Sequence, residues 1–117
     1  MTGILLACVA VLGTVDLETE FRDPPRDVRP QTWFHLIGGN VSKAGLTADL
    51  EALRVAGFGG IQLFHGQVGE DRKWPRTDER IPCLSARWDE IIVHAADECA
   101  RLGLKFEMQN CPGWSMS

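Results

Sequence analysis

Four side chains in this chain of 117 residues stand where a short apolar run gives way to polar sequence. They are Asn40 after TWFHLI, His65 after GIQLF, and Asn110 with Trp114 after LKFEMQ. Carboxamides and imidazoles exchange hydrogen bonds with hydroxyl groups, and an indole offers a flat apolar face. In β/α proteins ligands sit beyond the carboxyl ends of the strands, so these positions are candidate ligand contacts. Each also has a local reading. Asn40 and Asn110 can tie turns together through side-chain to backbone bonds, His65 can be a satisfied loop histidine, and Trp114 can plug the end of the fold beside Pro112-Gly113. His35 shares a two-residue period with Trp33 and Ile37, which makes it either a residue facing the site or a core histidine bonded to backbone.

Other reactive side chains are less well placed. Glu107 alternates with Phe106 and Met108, so it points away from the face that those two pack on. An unpaired carboxylate inside a fold is costly, and Glu107 therefore needs a cation, a hydrogen-bonded network or a raised pKa; membership of a structural network is favoured over catalysis. Cys8, Cys83, Cys99 and Cys111 lack metal-ligand spacing such as C-x-x-C. Cys99 falls on an apolar helical stripe as a small core residue. A bridge between Cys83 and Cys111 is compatible with their loop positions, and no histidine is placed by sequence to activate a cysteine nucleophile.

The elements that must position these residues alternate. Phe21 to Pro30 carries three prolines among alternating charges and reads as an extended lead-in. Thr32–Ile37 is a first strand, broken by Gly38-Gly39-Asn40. Thr47 is the expected cap of a helix with Asp49 and Glu51 in its first turn, a stripe of Leu46, Leu50, Leu53 and Ala56, and Gly57 as its stop. Gly60–Phe64 is a second strand. Gln67 to Leu84 is a long polar connection bearing Trp74, which either extends the ligand site or packs beside Pro75. Ser85 caps the clearest helix, whose face carries Trp88, Ile91, Ile92, Ala95, Ala96, Cys99 and Leu102 and which ends at Gly103. Leu104–Gln109 is a third strand.

Strand, helix, strand, helix, strand with right-handed crossovers gives parallel neighbours. The fold class is α/β. The glycines do not match the G-x-G-x-x-G that a dinucleotide-binding sheet needs after a strand, whereas a (β/α)8 TIM barrel needs no such fingerprint and accepts long loops at its strand carboxyl ends. The expectation is a partial barrel, with its first three strands and two helices. A whole barrel takes about 250 residues, so this segment cannot close, and an isolated piece should be marginally stable and inactive.

Ahead of these elements, residues 1–20 read as a signal peptide or lipoprotein leader. Ile4 to Leu12 is apolar and too short for a bilayer, which takes about 20 residues, but suits an export signal core; no Lys or Arg precedes it. Leu5-Leu6-Ala7-Cys8 resembles a lipoprotein box, with Cys8 unusually early. The competing reading is a buried first strand or helix. A leader would make the product secreted or periplasmic, or lipid-anchored at the cell surface. The composition, 44% hydrophobic and 24% charged with a net charge of −4, is that of a globular domain and offers no basic patch for nucleic acid.

Several of these stretches resemble one known family. Trp33-Phe34-His35, Gly39 to Lys43 (GNVSK), Gly45 to Glu51 (GLTADLE), Ala56-Gly57 with Gly59-Gly60, His94-Ala95-Ala96 to Leu102-Gly103-Leu104, and Asn110 to Ser115 (NCPGWS) together resemble the amino-terminal barrel segment of glycoside hydrolase family 106. The similarity covers about residues 21 to 117. Phe34 and Gln109 depart from it, standing where the family pattern has Trp and His. The resemblance implies an exported enzyme that hydrolyses terminal α-L-rhamnosyl linkages in polysaccharides, with inversion and with calcium. It also implies that the catalytic carboxyls lie beyond residue 117, so that His35, Asn40, His65, Asn110 and Trp114 are substrate contacts. The implied partners are a carbohydrate substrate and the remainder of the barrel. Two alternatives stay open: a non-catalytic sugar-binding remnant, and a different TIM-barrel hydrolase or isomerase.

Overall fold

The computed structural model describes residues 16–66 and 80–110. The expected leader up to residue 15, with Cys8, and the positions Trp74, Cys111 and Trp114 lie outside the described residues. Asp16 caps a short helix, α1 (Leu17–Arg22), by accepting from the amides of Glu18 and Thr19. A single 3-10 turn follows at Arg26–Val28. Then come β1 (Gln31–Ile37), α2 (Lys43–Val55), β2 (Gly60–Gly66), α3 (Ala86–Leu102) and β3 (Lys105–Met108). The strands form one parallel sheet in the order β1-β2-β3.

Alternation along the strands divides the sheet into two faces. On one, Leu36, Ile61 and Leu63 pack against Leu46 and Leu50 of α2 and Ile91, Ala95 and Cys99 of α3, forming one buried core. Burying side chains of this kind is worth about 1.5–3 kcal/mol each, so this layer holds the two helices in place. The other face carries Trp33, 58% exposed, in line with Gln62 and Glu107 across the register. Below the amino ends of the strands, the 3-10 turn is tied down. Arg26 donates to the Leu102 carbonyl at 3.2 Å, Lys105 to the Asp27 carbonyl at 2.8 Å, and the Gly59 amide to Pro30 at 2.9 Å. A side chain at Gly59 would meet the Arg26 carbonyl at 2.6 Å, so the chain passes there only as glycine.

The order of elements agrees with the sequence reading, but β3 is Lys105–Met108 instead of Leu104–Gln109, Asp49 and Glu51 lie beyond the first turn of α2, and other details differ. The lead-in Phe21–Pro30, expected to be extended, takes in the last two residues of α1, which begins inside the expected leader where Asp16 offers a capping carboxylate, and the 3-10 turn that follows Pro25. The first long helix begins at Lys43 instead of after Thr47. Ser42 is the cap, accepting from the Gly45 amide at 3.1 Å, while the Thr47 hydroxyl meets His94 Nε2 at 2.9 Å. The second strand continues past Phe64 to Gly66, since Leu36 and Ile37 of β1 still pair with His65 and Gly66. Ser85 and Gly103 bound α3 as expected, with Gly103 in the left-handed region at φ 65°.

Candidate functional site

The carboxyl edge of the sheet is built from two loops that lock together. After β1, Gly38 and Gly39 turn the chain with φ of 62° and 75°, and the Asn40 amide donates to Ile37 at 3.2 Å. The segment before α3 crosses this turn: the Ile81 amide donates to the Gly39 carbonyl at 3.0 Å. A Cβ at position 39 would lie 2.3 Å from the Ile81 carbonyl oxygen. Gly39 thus satisfies both the backbone sign and the close approach.

These loops border an open cleft of about 640 Å³ whose lining includes His35, Asn40, Ser42, Lys43, Arg87 and Glu90. Lys43 Nζ and Glu90 Oε2 are 3.2 Å apart, joining the first turns of α2 and α3. Both partners are more than half exposed, so the pair is worth little as stability and acts as a polar rim. His35 and Asn40, both singled out from sequence, are among the residues that border this cleft. His35 also stands 6.0 Å from Trp33 and 5.5 Å from Phe64, ring centre to ring centre. This aromatic group fixes the imidazole on the sheet face away from the helices.

The other candidates are placed differently. Asn110 follows β3 on the same edge and is exposed; the Gln109 amide just before it still donates to the Leu63 carbonyl at 3.0 Å. His65 follows Ile61 and Leu63 on the helix-covered face and is only 4% exposed. Its Nδ1 accepts from Trp88 Nε1 at 3.1 Å, with the rings edge to face at 5.6 Å. Desolvation holds its pKa below the ordinary histidine value. His65 is therefore a neutral core histidine rather than an open loop residue. Cys83 and Cys99 are free thiols; burial in the core pushes Cys99 up to about 11.

One group escaped sequence reasoning. Glu107 accepts from Gln31 Nε2 through Oε1 and from Gln62 Nε2 through Oε2, both at 3.1 Å. Gln62 Oε1 in turn accepts from Trp33 Nε1 at 3.1 Å. The expected network around Glu107 is present, but its members Gln31, Gln62 and Trp33 were not identified. The signal was there: Gln62 is the one polar residue inside GIQLF, and the alternation used for Glu107 places it on the same face. Among the described residues no three His, Cys, Asp or Glu side chains converge into a metal-binding group, and no helix is long and apolar enough to cross a membrane.

A family model described as alpha-L-rhamnosidase, glycoside hydrolase 106, matches residues 22–117. A rhamnosidase structure from Novosphingobium sp. PP1Y superposes with a TM-score of 0.75 at 35% identity, over 86% of this chain and 9% of that one. A protein from Formosa agariphila named "Putative beta-glucuronidase" is 35% identical over 98% of this chain and 10% of its own length. The chain thus spans about a tenth of the relatives it matches.

Proposed function

The chain belongs to glycoside hydrolase family 106, and from that premise we propose that it is the opening segment of a (β/α)8 barrel in an exported α-L-rhamnosidase. The observation that carries this reading is the family match over residues 22–117, joined to a parallel sheet whose carboxyl edge presents Asn40 and Asn110. In a closed barrel that edge is the catalytic face. Asn40 and Asn110 at the strand ends, His35 on the sheet face away from the helices and Trp114 beyond β3 would hold hydroxyls and one apolar side of a sugar ring.

Bond cleavage with inversion needs a protonated carboxyl for the leaving oxygen and a carboxylate to activate water, about 6.5–9.5 Å apart. Glu107 is unsuited to either role. Both its oxygens are held by amides, from Gln31 and from its register partner Gln62. The acid and base are assigned to later strand ends of the longer protein. Calcium, if the parent uses it, is likewise assigned to ligands outside the described residues, and no step here is routed through it.

The test is release of rhamnose from an aryl α-L-rhamnoside by the full-length product, with and without chelator, beside an aryl β-glucuronide. Rhamnose release supports the proposal. Turnover of the glucuronide alone would transfer the assignment to the sugar in the name of the Formosa relative, and binding without turnover of either would favour a non-catalytic sugar-binding protein.

A further inference from the structure

We propose that the cleft between the turn after β1 and the amino ends of α2 and α3 is a sugar subsite, holding a neutral ring of the chain that carries the cleaved rhamnosyl unit. The inference rests on the rhamnosidase reading above and adds to it a substrate longer than one sugar. At about 640 Å³ the cleft lies within the range of about 300–1,000 Å³ usual for small-ligand sites. Its lining includes Leu36, Leu46, Ile81 and Ile91 of the buried core, an apolar surface that suits the C–H face of a sugar ring. Its charged lining is balanced. Among the described lining residues, Lys43 and Arg87 stand against Asp49 and Glu90. The formal charges cancel, which favours a neutral ligand rich in hydroxyls over a free anion or cation.

The Lys43–Glu90 pair supplies the polar recognition. An ammonium only donates hydrogen bonds and a carboxylate only accepts them, whereas a sugar hydroxyl does both. Adjacent hydroxyls can therefore donate to Glu90 and accept from Lys43 while the pair itself stays together at 3.2 Å. Both side chains are more than half exposed and so within reach of a ligand, and hydrogen bonds with one charged partner are stronger than neutral ones. Lys43 is the first residue of α2 and Glu90 the fifth of α3, and the helices of a (β/α)8 barrel form its outer ring. On the barrel reading the cleft thus sits outward of the strand ends. The ring it holds is a neighbour of the cleaved rhamnosyl unit and not that unit itself.

The experiment measures kcat/KM of the full-length protein and of its Lys43→Ala and Glu90→Ala variants on two substrates. One is an aryl α-L-rhamnoside, which has no second sugar to place in the cleft; the other is an oligosaccharide of neutral sugars ending in α-L-rhamnose. Each variant should lose about tenfold more on the oligosaccharide than on the aryl rhamnoside, with the difference in KM. Glu51→Ala is the control. It breaks the Arg101–Glu51 contact, which also joins α3 to α2 but lies outside the lining of the cleft, and it should leave the ratio of the two substrates unchanged. Turnover of the aryl rhamnoside alone, equal losses on both substrates, or the same shift of ratio in Glu51→Ala overturns the subsite while the rhamnosidase reading stands. A wild-type protein that releases rhamnose from neither substrate refutes that reading, and the subsite with it.

Discussion

Replacing Trp88 by Phe should loosen α3 at neutral pH and make it less sensitive to acid. His65 Nδ1 accepts the indole N–H at 3.1 Å, so the proton of the neutral ring sits on Nε2. Charging the ring requires a hydrogen on Nδ1 as well, directly facing an existing donor. The fold therefore favours neutral His65, in line with a pKa depressed by burial from the ordinary 6.5. For a histidine lowered in this way, the stabilisation is fully present above the unfolded-state value near 6.5 and is lost as pH falls from there toward the folded-state value. Each unit of depression corresponds to about 1.4 kcal/mol. Trp88→Phe leaves a bare acceptor in the core, costing about 1–3 kcal/mol, with a further loss from the missing ring that does not depend on pH. It also removes the donor that opposes protonation. Hydrogen exchange of the first turns of α3, corrected for intrinsic rates, reads the local opening energy. Exchange in the variant should be about tenfold faster at pH 7.5, where tenfold equals about 1.4 kcal/mol, and the difference should shrink at pH 5. A gap that is constant or wider at pH 5 would refute the reasoning.

Two further outcomes check the framework of the carboxyl edge and the core. Gly39→Ala introduces a Cβ at positive φ, 2.3 Å from the Ile81 carbonyl oxygen, and should cost roughly 2–3 kcal/mol, read as faster exchange in both the turn after β1 and residues 80–85; an effect confined to the turn would show that the two loops are not locked. Iodoacetamide at pH 8 with peptide mapping should label half-buried Cys83 well before Cys99, which is fully buried with a pKa of about 11; equal rates would mean that α3 does not seat on the sheet.

How much of this was legible in the sequence depended on which interaction decided each feature. Apolar periodicity is local, so both long helices and all three strands were readable, as was the stop of α3 at Gly103. The start of α2 was misplaced because two residues qualify as caps. Ser42 and Thr47 are equally good by type, and the choice falls to Ser42 because the turn after Gly39 is held by Ile81, a contact 42 residues away in sequence. Thr47 is then inside the helix and bonds His94. The end of β2 was misjudged for a related reason. His65-Gly66 looks like a turn, yet a pairing strand extends it by two residues and turns the histidine inward. Pairing partners are invisible to a reading that treats one segment at a time.

The same distinction separates two groups of polar residues on this sheet. Asn40 and Asn110 stand in loops at the carboxyl edge, outside the buried core that includes Leu36, Leu50 and Ile61. The row of Trp33, Gln62 and Glu107 is the reverse case: each member bonds the next across adjacent strands, and the register that aligns them is the register of the sheet itself. A carboxylate in such a row is held through side chains of three strands, which denies it the freedom to approach a substrate. On the proposed reading, the catalytic carboxyls are accordingly to be sought at later strand ends and not at Glu107, whose oxygens are both taken by amides.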